Sequence, residues 1–465
     1  MDENQLYLNS LYGILLVCVI VVSLNSFFRV FDHDEFEHVH SAWYVLNGYI
    51  PYRDFFQHHN PLLWYLLAPV ILLFGETTTT LFACRLLMLA VAYGIIYLTY
   101  LVSRRLSDST ETRMLSIILM SSCLIFIDKV VEVRPAGIQT LLGMASLYYL
   151  LSHDGSSRRL ALSALYLSIA VLFSQKALFL AAGIYAVLLH HVLSRERRVP
   201  ALRDVGLYSL FFITPFILFL LLLYASGSLQ DYYVTNWLVN VYLMQSFPIT
   251  QQIYSLWINV FLWAIGLFAI PYLLKNSPRN GVKTISFLSL LLAASLFTVK
   301  LPHRQYFLPL IPLISILASI LLTERLFPRI RPAYRFIAVL AMVSVPLLYS
   351  LATVQTLYPD YRQQLGVVEL VPFKTSAGDY VYDGDINFNL YRRDLHYFWY
   401  SLHHGKGLDT YNMVTGGRYD DYDTCSLIKK KKPGIISDTL IDLRACGLSK
   451  DYRRTRFPGV YERKK

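Results

Sequence analysis

Residues Ser10-Leu-Tyr-Gly-Ile-Leu-Leu-Val-Cys-Val-Ile-Val-Val-Ser-Leu-Asn-Ser-Phe-Phe28 carry no charge, and they lead directly to Phe31-Asp-His-Asp-Glu-Phe-Glu-His-Val-His40. A helix needs about 20 apolar residues to cross the hydrocarbon core, and residues 9–28 meet that length. Carboxylates and imidazoles are thus packed where the chain leaves a membrane. A second cluster, Pro51-Tyr-Arg-Asp-Phe-Phe-Gln-His-His-Asn-Pro61, precedes the next long apolar run. Ionisable groups beside lipid are costly to keep and point to function.

The composition is that of a polytopic membrane protein. It is 55% hydrophobic and 16% charged, with a mean hydropathy of +0.43. Eleven spans are predicted, near 9–28, 80–103, 114–128, 135–152, 160–173, 177–193, 205–224, 255–274, 284–298, 308–323 and 336–352. Segment 61–75 is short, begins at Pro61 and ends at Gly75, so it reads as an interfacial helix. Loops after even-numbered spans hold sixteen Lys and Arg, from Arg104 to Arg335. The opposite short loops hold seven: Arg29, Arg53, Lys129, Arg134, Lys176, Lys300 and Arg304. Positive residues collect in cytoplasmic loops. The N-terminus is therefore expected inside, and both His/Asp-rich clusters outside. The start has no basic n-region or small-residue cleavage site, so residues 9–28 are expected to remain as a helix. The net charge of +11 is mostly this topological bias and gives no reason to expect a nucleic-acid partner.

Two regions follow from this plan. Residues 1–352 form the transmembrane part. Residues 353–465 are polar, lie on the outer side and are long enough for a small α/β domain. Asp379-Tyr-Val-Tyr-Asp-Gly384, Gly434-Ile-Ile-Ser-Asp438 and Gly459-Val-Tyr-Glu-Arg463 read as strands. Cys425 and Cys446 are the two cysteines outside the predicted spans. An oxidising compartment would permit their pairing; two unrelated thiols is the competing expectation.

A helix over 34–47 would put Phe36, Val39 and Trp43 on one face and Asp34, His38 and Ser41 near the other, with Gly48 as its stop. Such a helix would lie on the membrane and turn a polar face to a cavity. A carboxylate there can take a proton from a hydroxyl, and an imidazole can assist. A solvated interfacial helix would account for the same pattern.

The segments that follow carry more. His40-Ser-Ala-Trp-Tyr-Val-Leu-Asn-Gly-Tyr-Ile-Pro-Tyr-Arg-Asp54, His59-Asn-Pro-Leu-Leu-Trp-Tyr65, Leu73-Phe-Gly75 and Arg85 together resemble the first outer loop of GT-C glycosyltransferases. More narrowly, they resemble the protein O-mannosyltransferase and lipid A aminoarabinose transferase superfamily. The resemblance is strongest over residues 30–105. It implies an all-α polytopic fold with interfacial helices in the first outer loop and a small soluble domain last. It places the catalytic carboxylate at Asp34 or Glu35, with Asp32 as a fallback. His59 stands where some relatives carry Lys, and imidazole is only partly charged at neutral pH. Glu132-Val-Arg134 resembles a Glu-x-Arg motif of such enzymes, and Lys300-Leu-Pro-His303-Arg304-Gln-Tyr306 resembles their basic, Tyr-containing loop. Lys176 divides the long apolar stretch 160–193.

The expected chemistry is transfer of one sugar from a polyprenyl (undecaprenyl) phosphate. The donor phosphate would meet His59, Arg134, Lys176 and Arg304. Supporting or substrate contacts would come from Asp32, His38, Asp54, His58, Glu132, His303 and Tyr306. Asp385, Tyr391, Asp394 and Tyr397–Tyr400 are candidates for acceptor recognition, and Asp231–Tyr242 for an aromatic belt or sugar stacking. Metal is the competing reading of the first loop, since Asp32, His33, Asp34, Glu35, His38, His40, His58 and His59 are all ligand types. No zinc-motif spacing is complete, so no metal or other cofactor is expected. The acceptor is expected to be an envelope glycan or lipid (lipopolysaccharide, O-antigen or lipid A) on the outer, periplasmic face of the inner membrane. Alternatives are a protein acceptor, an O-antigen polymerase or ligase, and a glycolipid flippase.

Overall fold

The computed structural model describes residues 3–193, 198–242, 256–298, 303–384, 386–399, 407–417 and 423–464. The chain packs into two units: Met1–Phe27, Leu86–Leu218 and Ser246–Thr356 form the first, and Phe28–Arg85, Phe219–Gln245 and Leu357–Lys465 the second.

The first unit is helical. Its elements include α1 (Glu3–Phe28) as far as Phe27 and α4 (Thr78–Leu106) from Leu86, followed by α5 (Thr110–Ser121), α6 (Leu124–Lys129), α7 (Pro135–Leu151), α8 (Ser157–Phe173), α9 (Ala177–Leu193) and α10 (Arg198–Ala225) as far as Leu218. Helices Val260–Asn276, Asn280–Ser295, Ile311–Leu321 and Pro332–Thr356 complete it. Every residue of Ile311–Leu321 is buried, and this helix packs on α5 and on Val260–Asn276. It is apolar all round, as a central helix must be. At the other extreme, only 6% of the apolar window in Ala201–Ala225 is buried inside the protein. A helix that shows hydrocarbon on nearly every side suits a lipid solvent. Among the described residues, five helices are long and apolar enough to cross a membrane: Glu3–Phe28, Thr78–Leu106, Ala201–Ala225, Ile311–Arg329 and Pro332–Thr356. The other predicted spans coincide with shorter helices.

Two details depart from the sequence reading. The predicted span 114–128 is two helices, because the chain breaks at Ser122–Cys123. Cys123 is extended (φ −67°, ψ 123°), and Asn259 Oδ1 accepts from Leu124 N at 2.8 Å. An asparagine thus satisfies a first-turn donor that would otherwise be buried unpaired. Residues 231–242, read as an outer loop, are helical, with a π-helical stretch at Tyr233–Val239. The break at Ser174 falls where Lys176 divides the apolar stretch, with Ser174 extended between α8 and α9.

The second unit joins the first-loop helices to a sheet. Helix α2 (His33–Leu46) packs on α3 (Leu62–Phe74). α2 is not an amphipathic surface helix, as its residues from Glu35 to Tyr44 are all buried. The polar ones among them are held by side-chain partners, which is what allows burial. It stops at Asn47, and Gly48 takes φ +83°. Among the described residues, the strands β1 (Val381–Tyr382), β2 (Ile435–Ser437), β3 (Tyr452–Arg454) and β4 (Val460–Arg463) lie in the order β1-β2-β4-β3. β1 runs parallel to β2 with Val381 opposite Ile435. β4 runs antiparallel to both neighbours. Three strands sit within the predicted stretches; β3 is new. One apolar core of this unit gathers Leu395, Ile428, Ile436, Leu443, Cys446, Leu448 and Tyr452. Cys425 and Cys446 are joined by a disulfide there.

Candidate active site

The first turn of α2 sorts the carboxylates picked from the sequence. Asp32 is the N-cap; its side chain accepts from Asp34 N at 3.2 Å, while Glu35 Oε1 accepts from Asp32 N at 3.0 Å. This reciprocal arrangement is a capping box. Glu35 is fully buried and pairs with Arg85, which donates from Nε to Oε2 at 2.8 Å and from Nη2 to Oε1 at 2.6 Å. The same guanidinium donates to the carbonyls of Arg29 and Val30 and lies 3.6 Å from the Phe31 ring centroid. Glu35 therefore fastens the helix start to the start of α4. Asp34, between them, is half-buried and sits where helical N–H groups favour a carboxylate.

One turn on, a second group forms. Glu37 is buried and accepts from Gln57 Nε2 at 2.8 Å. His59 Nε2 lies 3.9 Å from Glu37 Oε1, and the His58 and His59 rings are 4.2 Å apart. His38 is buried, with Trp64 Nε1 donating to its Nδ1 at 3.0 Å. Its ring centroid is 5.1 Å from that of His59.

Further along α2, His40 Nε2 lies 2.7 Å from Asp394 Oδ2, which also accepts from Tyr44 OH at 2.8 Å. Asn389 Nδ2 donates to Asp394 Oδ1 at 2.9 Å. Burial, then the Asp394 charge, hold the Tyr44 hydroxyl well above its ordinary pKa. Asp54 closes a turn instead: it accepts from Ile50 N and from Arg53. Partial burial raises its pKa, but the Arg53 and Ile50 bonds outweigh this and lower it. A cavity of about 330 Å³ is lined by Tyr44, Tyr49, Tyr397, His396, Arg393 and Lys431, among others including Asp54. Asp385 and Tyr400 lie outside the described residues.

The cations picked from later loops belong to the first unit. Glu132 is buried and clasped by Lys129 Nζ (2.7 Å) and Arg134 Nε (2.8 Å). Arg134 is also the N-cap residue of α7. Lys176 Nζ lies 3.4 Å from the centroid of the Tyr306 ring, and that ring meets His303 at 5.4 Å. Arg304, on the short turn Arg304–Phe307, is 4.0 Å from Asp128 of α6. Lys300 lies outside the described residues. Residues spaced across more than 170 positions thus meet, Arg304 beside Asp128 of α6 and Lys176 against the Tyr306 ring.

Glu37 and Lys129 were given no site role from the sequence, and the pairing of His40 with Asp394 was not foreseen. Glu37 stands in the quoted loop but was not distinguished from its other acids, and His40 was named only among possible metal ligands. Lys129 was counted only as a topology signal. Asp394 is 354 residues from its partner His40, so no local pattern links them.

The sequence matches no family model and no curated protein. Solved structures do match. The crystal structure of ArnT from Cupriavidus metallidurans bound to undecaprenyl phosphate superposes with a TM-score of 0.68 at 12% identity, over 97% of each chain. Its apo form gives the same TM-score at 13% identity. The apo oligosaccharyltransferase from Archaeoglobus fulgidus gives 0.52 at 12% identity, covering 77% of this chain and 57% of that one. With the helical order and the first-loop helices already described, these likenesses establish that the chain has the GT-C glycosyltransferase fold.

Proposed function

We propose that the protein is an integral-membrane glycosyltransferase. It would move one sugar from a polyprenyl phosphate to a hydroxyl of an envelope glycan or glycolipid on the outer face of the inner membrane. The supporting observation is the likeness, along 97% of both chains, to a protein solved with undecaprenyl phosphate. In this reading all eleven apolar segments cross the membrane, the N-terminus is inside, and the sheet-bearing C-terminal residues are outside. Asp34 is the base, and the buried pair of Glu35 with Arg85 supports a structural part for Glu35. Arg134, Lys176 and Arg304 hold the donor phosphate, with Lys129 added to the set.

The step is a single displacement. The acceptor oxygen attacks the anomeric carbon as its proton passes to Asp34. The bond from that carbon to the phosphate oxygen breaks, and its electron pair leaves with the polyprenyl phosphate. Inversion at the anomeric carbon follows. Cations at the phosphate stabilise the charge that grows on the leaving group. The aromatic cavity with Arg393 and Lys431 suits an acceptor sugar bearing an anionic group: rings cover the apolar faces, and cations meet the charge.

The test is direct. Purified protein in detergent is mixed with synthetic polyprenyl-phosphate pentoses or hexoses and an extract of envelope glycolipid, and products are weighed by mass spectrometry. An acceptor heavier by one sugar, together with free polyprenyl phosphate, is the expected result, and Asp34→Asn abolishes both. Wild-type protein that consumes none of the donors would overturn the reading.

A further inference from the structure

We infer that Glu37, His58 and His59 form a binding site for a divalent transition-metal ion, Zn²⁺ being the best fit. One ligand atom from each residue lies within 4.8 Å of the other two. Donors around a tetrahedral zinc stand about 3.4 Å apart, given bonds of about 2.0–2.2 Å. Glu37 and His59 already approach to 3.9 Å, so small side-chain rotations close the set. Two nitrogens and one carboxylate oxygen favour zinc over magnesium or calcium, which take oxygen ligands.

The surroundings hold these ligands in place. Gln57 Nε2 donates to Glu37 Oε1 at 2.8 Å and to Ser41 Oγ at 2.8 Å, which orients the carboxylate. The His58–His59 backbone is pinned from three sides. Asn240 Nδ2 donates to His58 O at 2.7 Å, Tyr52 OH donates to His59 O at 2.6 Å, and His58 N donates to Gln57 Oε1 at 3.1 Å. Tyr52 takes φ +70° in the turn that brings this about. Hydrogen bonds that fix ligands before the ion arrives are what metal sites depend on. All these residues lie in the second unit.

Three protein ligands leave a tetrahedral ion one open position. A divalent ion with one carboxylate and two neutral imidazoles carries a net positive charge, and its fourth position takes water or an oxygen anion. That this anion is the donor's phosphate rests on the glycosyltransferase reading; binding of the ion does not. The ion would supply a fixed charge that a neutral imidazole cannot.

The experiment uses the full-length, tag-free protein in detergent. Zinc content is measured by plasma mass spectrometry after dialysis against Zn²⁺, and affinity by competition with a chromophoric chelator. One Zn²⁺ per chain is expected, bound at least about a hundredfold more weakly in His58→Ala, His59→Ala and Glu37→Gln, and roughly tenfold or more in Gln57→Leu. Asp34→Asn keeps the ion. Should an alanine variant unfold, Co²⁺ loaded into wild type reports the site by itself: intense visible bands of a tetrahedral nitrogen and oxygen set support it, and pale octahedral bands refute it. No stoichiometric zinc in wild type, or equal affinity in all variants, overturns the site. Stoichiometric zinc in a protein that consumes no polyprenyl-phosphate sugar keeps the site and removes only the glycosyltransferase reading.

Discussion

Cutting Glu35 back to alanine separates a structural carboxylate from a catalytic one. In the structure Glu35 is wholly buried and Arg85 is 1% exposed. Removing one partner leaves the other charge buried without its counter-charge, at a cost of about 3–5 kcal/mol. Arg85 would keep the carbonyls of Arg29 and Val30 and the Phe31 face, which favours the low end of that range. Loss of the capping-box bond to Asp32 N adds about 1 kcal/mol. The sum is near 4 kcal/mol. One kcal/mol moves the midpoint by about 2–4 °C in chains of 150–250 residues, so roughly a 5–10 °C fall is expected in this longer one. The assay is thermal unfolding in detergent, read beside turnover. Replacing both partners, as Glu35→Met with Arg85→Met, should recover most of the loss, because an apolar pair needs no counter-charge. Glu35→Ala with a wild-type midpoint and no turnover would refute this reasoning and make Glu35 the base.

Asp34→Asn should keep the wild-type midpoint and lose about 10²–10⁴ in rate, the usual worth of a positioned base; unchanged kinetics would remove Asp34 from the mechanism. Alanine at Arg134, Lys176 or Arg304 should weaken donor binding about tenfold or more in at least one case, since a charge-assisted contact contributes about 1.5–3 kcal/mol. Titration of a labelled polyprenyl phosphate measures this, and three normal affinities would misplace the phosphate. A reporter fused after Lys465 should be active only outside the cytoplasm, given the Lys/Arg bias; cytoplasmic activity would reverse the topology. Asp383 adds a pH dependence. Burial pushes its pKa up to about 7, against three backbone N–H bonds that lower it and the Asp394 charge that raises it further. Its folded value exceeds the ordinary 3.8, so the neutral acid favours the fold. The stabilisation is complete below about pH 4 and is lost as pH rises through about 7. Amides near Phe388 should exchange faster at pH 8 than at pH 5 after correction for intrinsic rates, and Asp383→Asn should flatten the difference.

Helix positions, the first-loop helix, three of the four strands and the set of charged residues at helix ends were legible in the sequence. Each rests on a local physical rule. An apolar run of span length must be helical in lipid, and Gly48 relieves a positive φ at the helix stop. The break at Ser122–Cys123 was not legible, because the asparagine that compensates it is Asn259, well over a hundred residues away. The roles within Asp-His-Asp-Glu-Phe-Glu-His were not legible for the same reason. Asp34, Glu35 and Glu37 are alike as a string. They differ once Arg85 takes Glu35, Gln57 and the His58–His59 pair surround Glu37, and Asp34 is left half-buried between them. Amino-acid order determined a polytopic helical protein with a charged first loop. Tertiary packing alone decided which carboxylate is neutralised by a buried partner and which cations share a cluster, because a charge takes its character from groups brought near it in space.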